Sequence, residues 1–200
     1  MKILKKSFYS RDTLTVARKL LGQKLVRMVD GQYLSAIVTE TEAYLGAGDS
    51  ASHASRGRTP RNQAMFGPAG IAYVYFIYGM HYMLNVVTEA KETPGAVLLR
   101  AVVPLQGIAH MQKLRNRHDK NLTDGPAKLC QALAIDTALN GWDLTQGKIL
   151  WIEAYQDLPD SGVIAGPRIG IDYATAVDRR APRRFVVRSE FWNEQITSNH

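Results

Sequence analysis

Between residues 40 and 100 a carboxylate, an imidazole, several arginines and a row of tyrosines fall within a stretch otherwise apolar enough to form core. The carboxylate is Glu42, in Glu42-Ala43-Tyr44. The imidazole is His53, followed by Arg56, Arg58 and Arg61, and the aromatic run is Tyr73-Val74-Tyr75-Phe76-Ile77-Tyr78. Glu42 is a candidate general base for water. Arg100, set in an apolar run from Val97 to Val103, is a candidate to hold that water and the carboxylate, because an arginine so placed must meet a carboxylate or a polar cleft. Tyrosine rings can stack on a planar base, and His53 can direct a hydrogen bond to its edge. Arg56, Arg58 and Arg61 would hold phosphates without reading sequence, as would Lys128 beside the amide end of a helix opened by Gly125-Pro126.

The elements that must position these groups follow from patterning. Residues 12 to 21 read as a helix, with Asp12 as cap, Leu14, Ala17 and Leu21 recurring near a 3.6 period, and Gly22 as its stop. Lys24 to Val29 reads as a strand, Asp30-Gly31 as a hairpin turn, and Tyr33 to Glu42 as the partner strand. Alternation along that strand puts Ala36, Val38, Glu40 and Glu42 on one face. Residues 45 to 70, rich in Gly, Pro and Ser, form a long loop of the kind that is functional when ordered. Ile71 to Tyr78 and Tyr82 to Thr88 form a tight hairpin around Gly79. Pro94-Gly95 turns the chain into a strand from Val97 to Val103. A helix is expected over 104 to 118, ending in Lys113, Arg115, Arg117 and His118, and another over 127 to 135 with Pro126 in its first turn. Lys148 to Ala154 reads as a strand, Asp157 to Gly166 as a loop, Arg168 to Ile171 as a short strand, Asp178 to Arg184 as a basic loop, and Phe185 to Arg188 as a closing strand.

Two hundred residues suit one domain over 1–200 and can bury a core without disulfides or a structural metal. The 25 Lys and Arg against 18 Asp and Glu give a formal charge of +7, compatible with a polyanionic partner. Cys130 is the only cysteine, which excludes an intramolecular disulfide and a thiolate cluster; its apolar neighbours mark it as an inert buried thiol. His53, His81, His110, His118 and His200 have no metal-ligand spacing, so no metal and no cofactor is expected. Glycine-rich nucleotide loops, His-Glu-x-x-His, the zinc-deaminase pattern and Gly-x-Ser-x-Gly are all missing. No apolar run is long enough to span a membrane, and Arg11 and Asp12 interrupt the start too early for a secretory signal. A cytoplasmic protein, associated with the nucleoid if bacterial, is the expectation. On these features a nucleic-acid enzyme acting on a flipped base, a nucleic-acid-binding module, and some other enzyme or scaffold all remain open.

Longer stretches narrow that choice. Thr39-Glu40-Thr41-Glu42-Ala43-Tyr44-Leu45-Gly46, His53-Ala54-Ser55-Arg56-Gly57, Thr59-Pro60-Arg61-Asn62, Met65-Phe66, the run from Tyr73 to Met80, Val97-Leu98-Leu99-Arg100-Ala101 and the run from Gly125 to Leu133 occur in this order. Together they resemble the alkyladenine (3-methyladenine) DNA glycosylase family over about residues 12 to 192.

The resemblance implies a single-domain mixed α/β fold with a central antiparallel sheet and surrounding helices. It implies a monofunctional enzyme that flips a damaged purine out of duplex DNA and hydrolyses its N-glycosidic bond, leaving an abasic site. Its substrates would be 3-methyladenine and also hypoxanthine and ethenoadenine, with a non-catalytic damage-binding module as the alternative. By the same resemblance Glu42 is the carboxylate that deprotonates water and Arg100 the arginine beside that water. Tyr44 and Tyr75 would sandwich the flipped base, His53 would bond its edge, and Asn85 would reject guanine by crowding its amino group. Tyr78 would enter the minor groove and fill the gap, flanked by Met80. The partner is double-stranded DNA containing damaged purines, with no obligate protein partner and no membrane. His81 departs from the tyrosine expected there in vertebrate members.

Overall fold

The computed structural model describes residues 2–118 and 121–191; His200 lies outside them. Its centre is an eight-stranded sheet, all of whose pairings are antiparallel. The strands are β1 Lys24–Val29, β2 Gln32–Tyr44, β3 Ala72–Ile77, β4 His81–Val87, β5 Ala96–Gln106, β6 Leu150–Glu153, β7 Val163–Gly166 and β8 Arg184–Val187. Six of them lie in the order β3-β4-β5-β2-β1-β6, while β8 joins β2 and carries β7 outside it. Helices α1 Lys6–Tyr9, α2 Thr13–Leu20, α3 Ile108–Arg115, α4 Pro126–Ala132 and α5 Ala176–Arg180 surround the sheet. This is the mixed α/β architecture that the sequence leads one to expect.

Local chemistry explains the elements nearest the site. Asp12 caps α2 by accepting from Thr15 N–H at 2.9 Å. The buried stripe of that helix is Thr13, Val16, Ala17 and Leu20, whereas Leu14 is exposed, so the phase differs by a fraction of a turn from the expected one. Asp30 and Gly31 both take positive φ, as a two-residue hairpin requires, and lock β1 to β2 from Val29↔Gln32 to Lys24↔Ile37.

The sheet has two faces with different contents. Val74 of β3, Leu84 and Val86 of β4, and Val97 and Leu99 of β5 point into the main core, with Val16, Ala17 and Leu20 of α2 and Leu129 and Cys130 of α4. Burial pushes the Cys130 thiol up to about 12, as befits an inert core residue. The alternate residues Tyr73, Tyr75, Ile77, Met83, Asn85, Ala96, Leu98 and Arg100 line a cleft on the other face. Period-two alternation in three adjacent strands therefore separates core from site.

In β2 that alternation is interrupted, which corrects the expectation that Ala36, Val38, Glu40 and Glu42 share a face. Ala36 and Val38 lie in the main core, but so does Ala43, and the Thr41 hydroxyl donates to the Ala17 carbonyl of α2 at 2.8 Å. The pairing of β2 with β5 is irregular there, running Val38↔Val102, Glu40↔Ala101, Thr41↔Leu99. In β5, too, Val102 and Leu99 both reach the core across the irregularity. Glu40 and Glu42 are thereby turned from the core side to the cleft side. Irregularities of this kind re-aim side chains beside functional sites.

Other expectations are corrected by long-range pairing. Residues 104 to 106 are strand, not helix, because Pro104 and Gln106 pair with Ala36 and Ser35. Gly107, at φ 76°, turns the chain into α3, which stops at Arg115, so Arg117 and His118 lie beyond it. Val163–Gly166, expected as loop, pairs with β8, and part of the expected basic loop is α5, capped by Thr175. Arg168 to Ile171 forms no strand; it is a bend against the cleft.

Candidate functional site

The cleft has a volume of about 590 Å3, and Glu42 stands directly behind its wall. The carboxylate is fully buried, at 0% exposure, yet its three partners, Tyr44, Arg100 and Ile169, line the cleft. The Tyr44 hydroxyl donates to Oε2 at 2.7 Å, and Nη1 of Arg100 lies 3.4 Å from the same oxygen. The Ile169 N–H donates to Oε1 at 2.8 Å. Arg100 also donates through Nε to Glu40 Oε1 at 3.2 Å, and Arg184 donates to that oxygen at 2.8 Å, so two arginines and two glutamates balance locally. Burial raises the Glu42 carboxyl above its ordinary value, against the lowering effects of Arg100, the Ile169 N–H and the Tyr44 hydroxyl. A buried carboxylate that accepts two hydrogen bonds and faces the Arg100 charge beside a cavity is suited to accept a proton.

Aromatic residues form the adjoining wall. His53 and Tyr75 stand edge to face with centroids 4.6 Å apart, and Nδ1 of His53 is 2.9 Å from the Tyr73 hydroxyl. Burial, assisted by the nearby Arg61 charge, lowers the His53 pKa, so the ring is neutral at pH 7. Burial pushes the Tyr73 phenol up to about 12, against the opposing Arg61 charge. The loop carrying His53 is fastened by Asn62, whose Nδ2 donates to the His53 and Gly57 carbonyls at 2.8 and 2.9 Å and whose Oδ1 accepts from Thr59 N–H. Asn85 lies deep in the cleft and donates to the Tyr73 carbonyl at 3.1 Å. Glu42, Tyr44, His53, Tyr75, Asn85 and Arg100 are thus brought together.

At the rim the β3–β4 hairpin projects into solvent. Tyr78 is 79% exposed and Met80 64%, while Tyr78 and Gly79 both take positive φ in the turn itself, one residue past the end of β3. Of the four cations expected at phosphates, Arg56 and Arg61 line the cleft, with Arg61 5.6 Å from the Tyr75 ring centre. Arg58 instead pairs with Glu92 and lies 4.5 Å over the Phe66 ring. Lys128 donates to Asp124 at 2.7 Å.

Several residues of the site were not singled out in the sequence. Arg168 and Asp49 form a fully buried pair, with Nη1 and Nη2 donating to the two carboxylate oxygens at 2.6 and 2.8 Å. Breaking such a pair by removing one partner costs about 3–5 kcal/mol. Ile169 supplies a backbone donor to Glu42, and Tyr173, whose hydroxyl donates to the Ala51 carbonyl at 3.0 Å, joins the rim. A backbone N–H leaves no trace in residue identity. Arg168 did carry a signal: like Arg100, it adjoins an apolar run and had to meet a carboxylate. Among the described residues no group of three or more His, Cys, Asp or Glu side chains could hold a metal ion, and no helix is long and apolar enough to cross a membrane.

Comparison with known proteins places this geometry in context. The family model described as methylpurine-DNA glycosylase matches residues 7–191. A protein of Chlorobaculum parvum named "Putative 3-methyladenine DNA glycosylase" is 49% identical over 182 residues, covering 90% of this chain and 87% of its own. Proteins of the same name from Carboxydothermus hydrogenoformans and Methanocella arvoryzae are each 47% identical over 188 residues. They cover 94% and 92% of this chain, and 96% and 92% of their own lengths.

Proposed function

Because the chain belongs to the methylpurine-DNA glycosylase family, whose members act on alkylated purines in DNA, we propose that it excises them by hydrolysis at this cleft, with Glu42 as the base. The observation that carries the reading is the Glu42 carboxylate, buried behind a cleft with aromatic walls and held by Arg100, Tyr44 and the Ile169 N–H. The two hydrogen bonds from Tyr44 and Ile169 leave an ionised carboxylate an acceptor position for water. A water in that position loses a proton to Glu42 as its oxygen bonds to C1′ of the deoxyribose. The electron pair of the C1′–N bond departs with the base, leaving an abasic sugar. Arg100 steadies both water and carboxylate.

Tyr44 and Tyr75 take the two faces of the extruded purine, His53 meets its edge, and Asn85 crowds a purine that carries an exocyclic 2-amino group. Tyr78, with Met80 beside it, fills the space left in the duplex. Arg56 and Arg61 hold backbone phosphates at the cleft; Arg58 and Lys128 do so further out, exchanging Glu92 and Asp124 for phosphate. The cleft lining includes arginines but no lysine among the described residues, which favours a water nucleophile over an amine and hence no strand cleavage.

Leaving-group chemistry orders the substrates. A purine alkylated at N3 carries positive charge and departs as a neutral base, so water activation and stacking suffice. Hypoxanthine and ethenoadenine are neutral and gain more from hydrogen bonds at their edges, where neutral His53 acts as a donor and not as a proton source. Release of 3-methyladenine is therefore expected to be faster than release of hypoxanthine, with both measurable on defined duplexes. Hypoxanthine release equal to background would restrict the activity to alkylated bases.

The base must be ionised to work, and burial raises its pKa, so the rate rises with pH through a value above the ordinary 4.5. Single-turnover release of 3-methyladenine, which needs no protonation on leaving, checks this. An acid limb at or below that ordinary value contradicts it.

A further inference from the structure

Resting on the reading of Glu42 as the base, we infer that the buried Asp49–Arg168 pair is a positioning device for it, acting through the Ile169 backbone and the Tyr44 ring. Arg168 and Ile169 are adjacent, so fixing the guanidinium fixes the N–H that follows it. That N–H donates to Glu42 Oε1 at 2.8 Å. The guanidinium is fixed on several sides. It meets Asp49 through two nitrogens and donates from Nη1 to the Ala43 carbonyl at 2.9 Å, between Glu42 and Tyr44 on β2. It also lies 4.7 Å from the Tyr44 ring centre, and Tyr44 donates to the other Glu42 oxygen. Asp49 in turn is anchored by the N–H groups of Leu45 and Ala51 at 2.9 and 3.1 Å, and Arg183 stands 3.3 Å away.

Both hydrogen-bond donors on Glu42, the Tyr44 hydroxyl and the Ile169 N–H, are therefore held by one pair of residues 119 positions apart in sequence. Neither side chain of the pair lines the cleft, so both act through other groups. A buried ion pair gives little net stability over an apolar pair of similar volume. Its location against both neighbours of Glu42 supplies a reason for it that stability does not.

Loosening the pair weakens a bond to the charged form of Glu42, which raises the pKa of the base. The test is single-turnover release of 3-methyladenine as a function of pH for Arg168→Lys, which keeps the charge but not the two-pronged geometry, and for the double variant Asp49→Leu/Arg168→Met. The double variant refills the volume with apolar side chains and is the one to read if Arg168→Lys does not fold. The acid limb is expected to move up by about one pH unit, so that the rate below it falls about tenfold and recovers as pH rises. Single-turnover rates at saturating enzyme keep any change in lesion affinity through the Tyr44 ring out of the pH limb.

An unmoved limb, with the rate unchanged or lowered equally at every pH, overturns the inference and leaves the pair a structural one. Glu42→Gln measured alongside separates the two readings. If it is slowed about a hundredfold or more while the limb stays in place, the positioning role alone falls; if it turns over at the wild-type rate, the base assignment falls and the positioning role with it.

Discussion

Glu42→Gln is expected to slow base release by on the order of a hundredfold to ten-thousandfold, the usual range for removing a general base, while the protein stays folded and bound to DNA. Glutamine has nearly the same volume, and its oxygen still accepts from the Ile169 N–H while its amide nitrogen donates to the Tyr44 hydroxyl, which turns to accept, but it cannot take a proton from water at neutral pH. Arg100 is not stranded by the change, because its Nε still donates to Glu40 at 3.2 Å. Removing one negative charge beside a cleft proposed to receive DNA is also expected to leave DNA affinity the same or higher. Single-turnover release and a titration with lesion-bearing duplex check both halves. Turnover at the wild-type rate removes Glu42 from the role of base; loss of binding together with turnover makes it a structural residue.

Tyr78→Ala is expected to act on binding. The side chain is 79% exposed at the hairpin tip, so its loss removes little from the fold, and its positive φ is no harder for alanine than for tyrosine. A ring that fills the gap left by an extruded nucleotide contributes by stacking, worth about 1–3 kcal/mol per base on truncation, or roughly a tenfold to hundredfold change in Kd. Undamaged duplex is held through phosphates and should be little affected. Titration of lesion-bearing and plain duplexes at one salt concentration gives the comparison. Equal losses on the two would rule out a wedge.

What could be read from the sequence follows from how local each feature is. The β1–β2 hairpin was legible because Asp30-Gly31 encodes its own positive φ values, and the start of α2 because Asp12 caps it from three residues away. The β3–β4 hairpin was legible in the strand propensity of Ile71 to Tyr78 and the Gly79 turn, and the structure turns Tyr73 and Tyr75 to the cleft and Val74 to the core. The resemblance to a known family drew the candidate site residues from distant stretches. The structure brings six of them, Glu42, Tyr44, His53, Tyr75, Asn85 and Arg100, to one cleft.

Features set by distant partners were not legible. The face of Glu42 depends on the irregular pairing at Glu40↔Ala101, which no pattern within β2 announces. Pro104 to Gln106 look like the start of a helix until β2 claims them as strand, and Val163–Gly166 becomes a strand because β8 offers it an edge. Arg168 meets a carboxylate in a loop 119 residues away, and Ile169 contributes only its backbone. Arg58 and Lys128 have the charge for phosphate, but local acidic neighbours, Glu92 and Asp124, occupy them in the free protein.

The most direct test of the central claim is product analysis on duplex DNA carrying one hypoxanthine, beside methylated DNA, with wild type and Glu42→Gln, scoring free base and strand breaks before and after hot alkali. Hydrolysis with Glu42 as base predicts free base from wild type, breaks that appear only after alkali, and both slowed by about a hundredfold or more with Glu42→Gln. Breaks before alkali, or base release at the wild-type rate with Glu42→Gln, would contradict it.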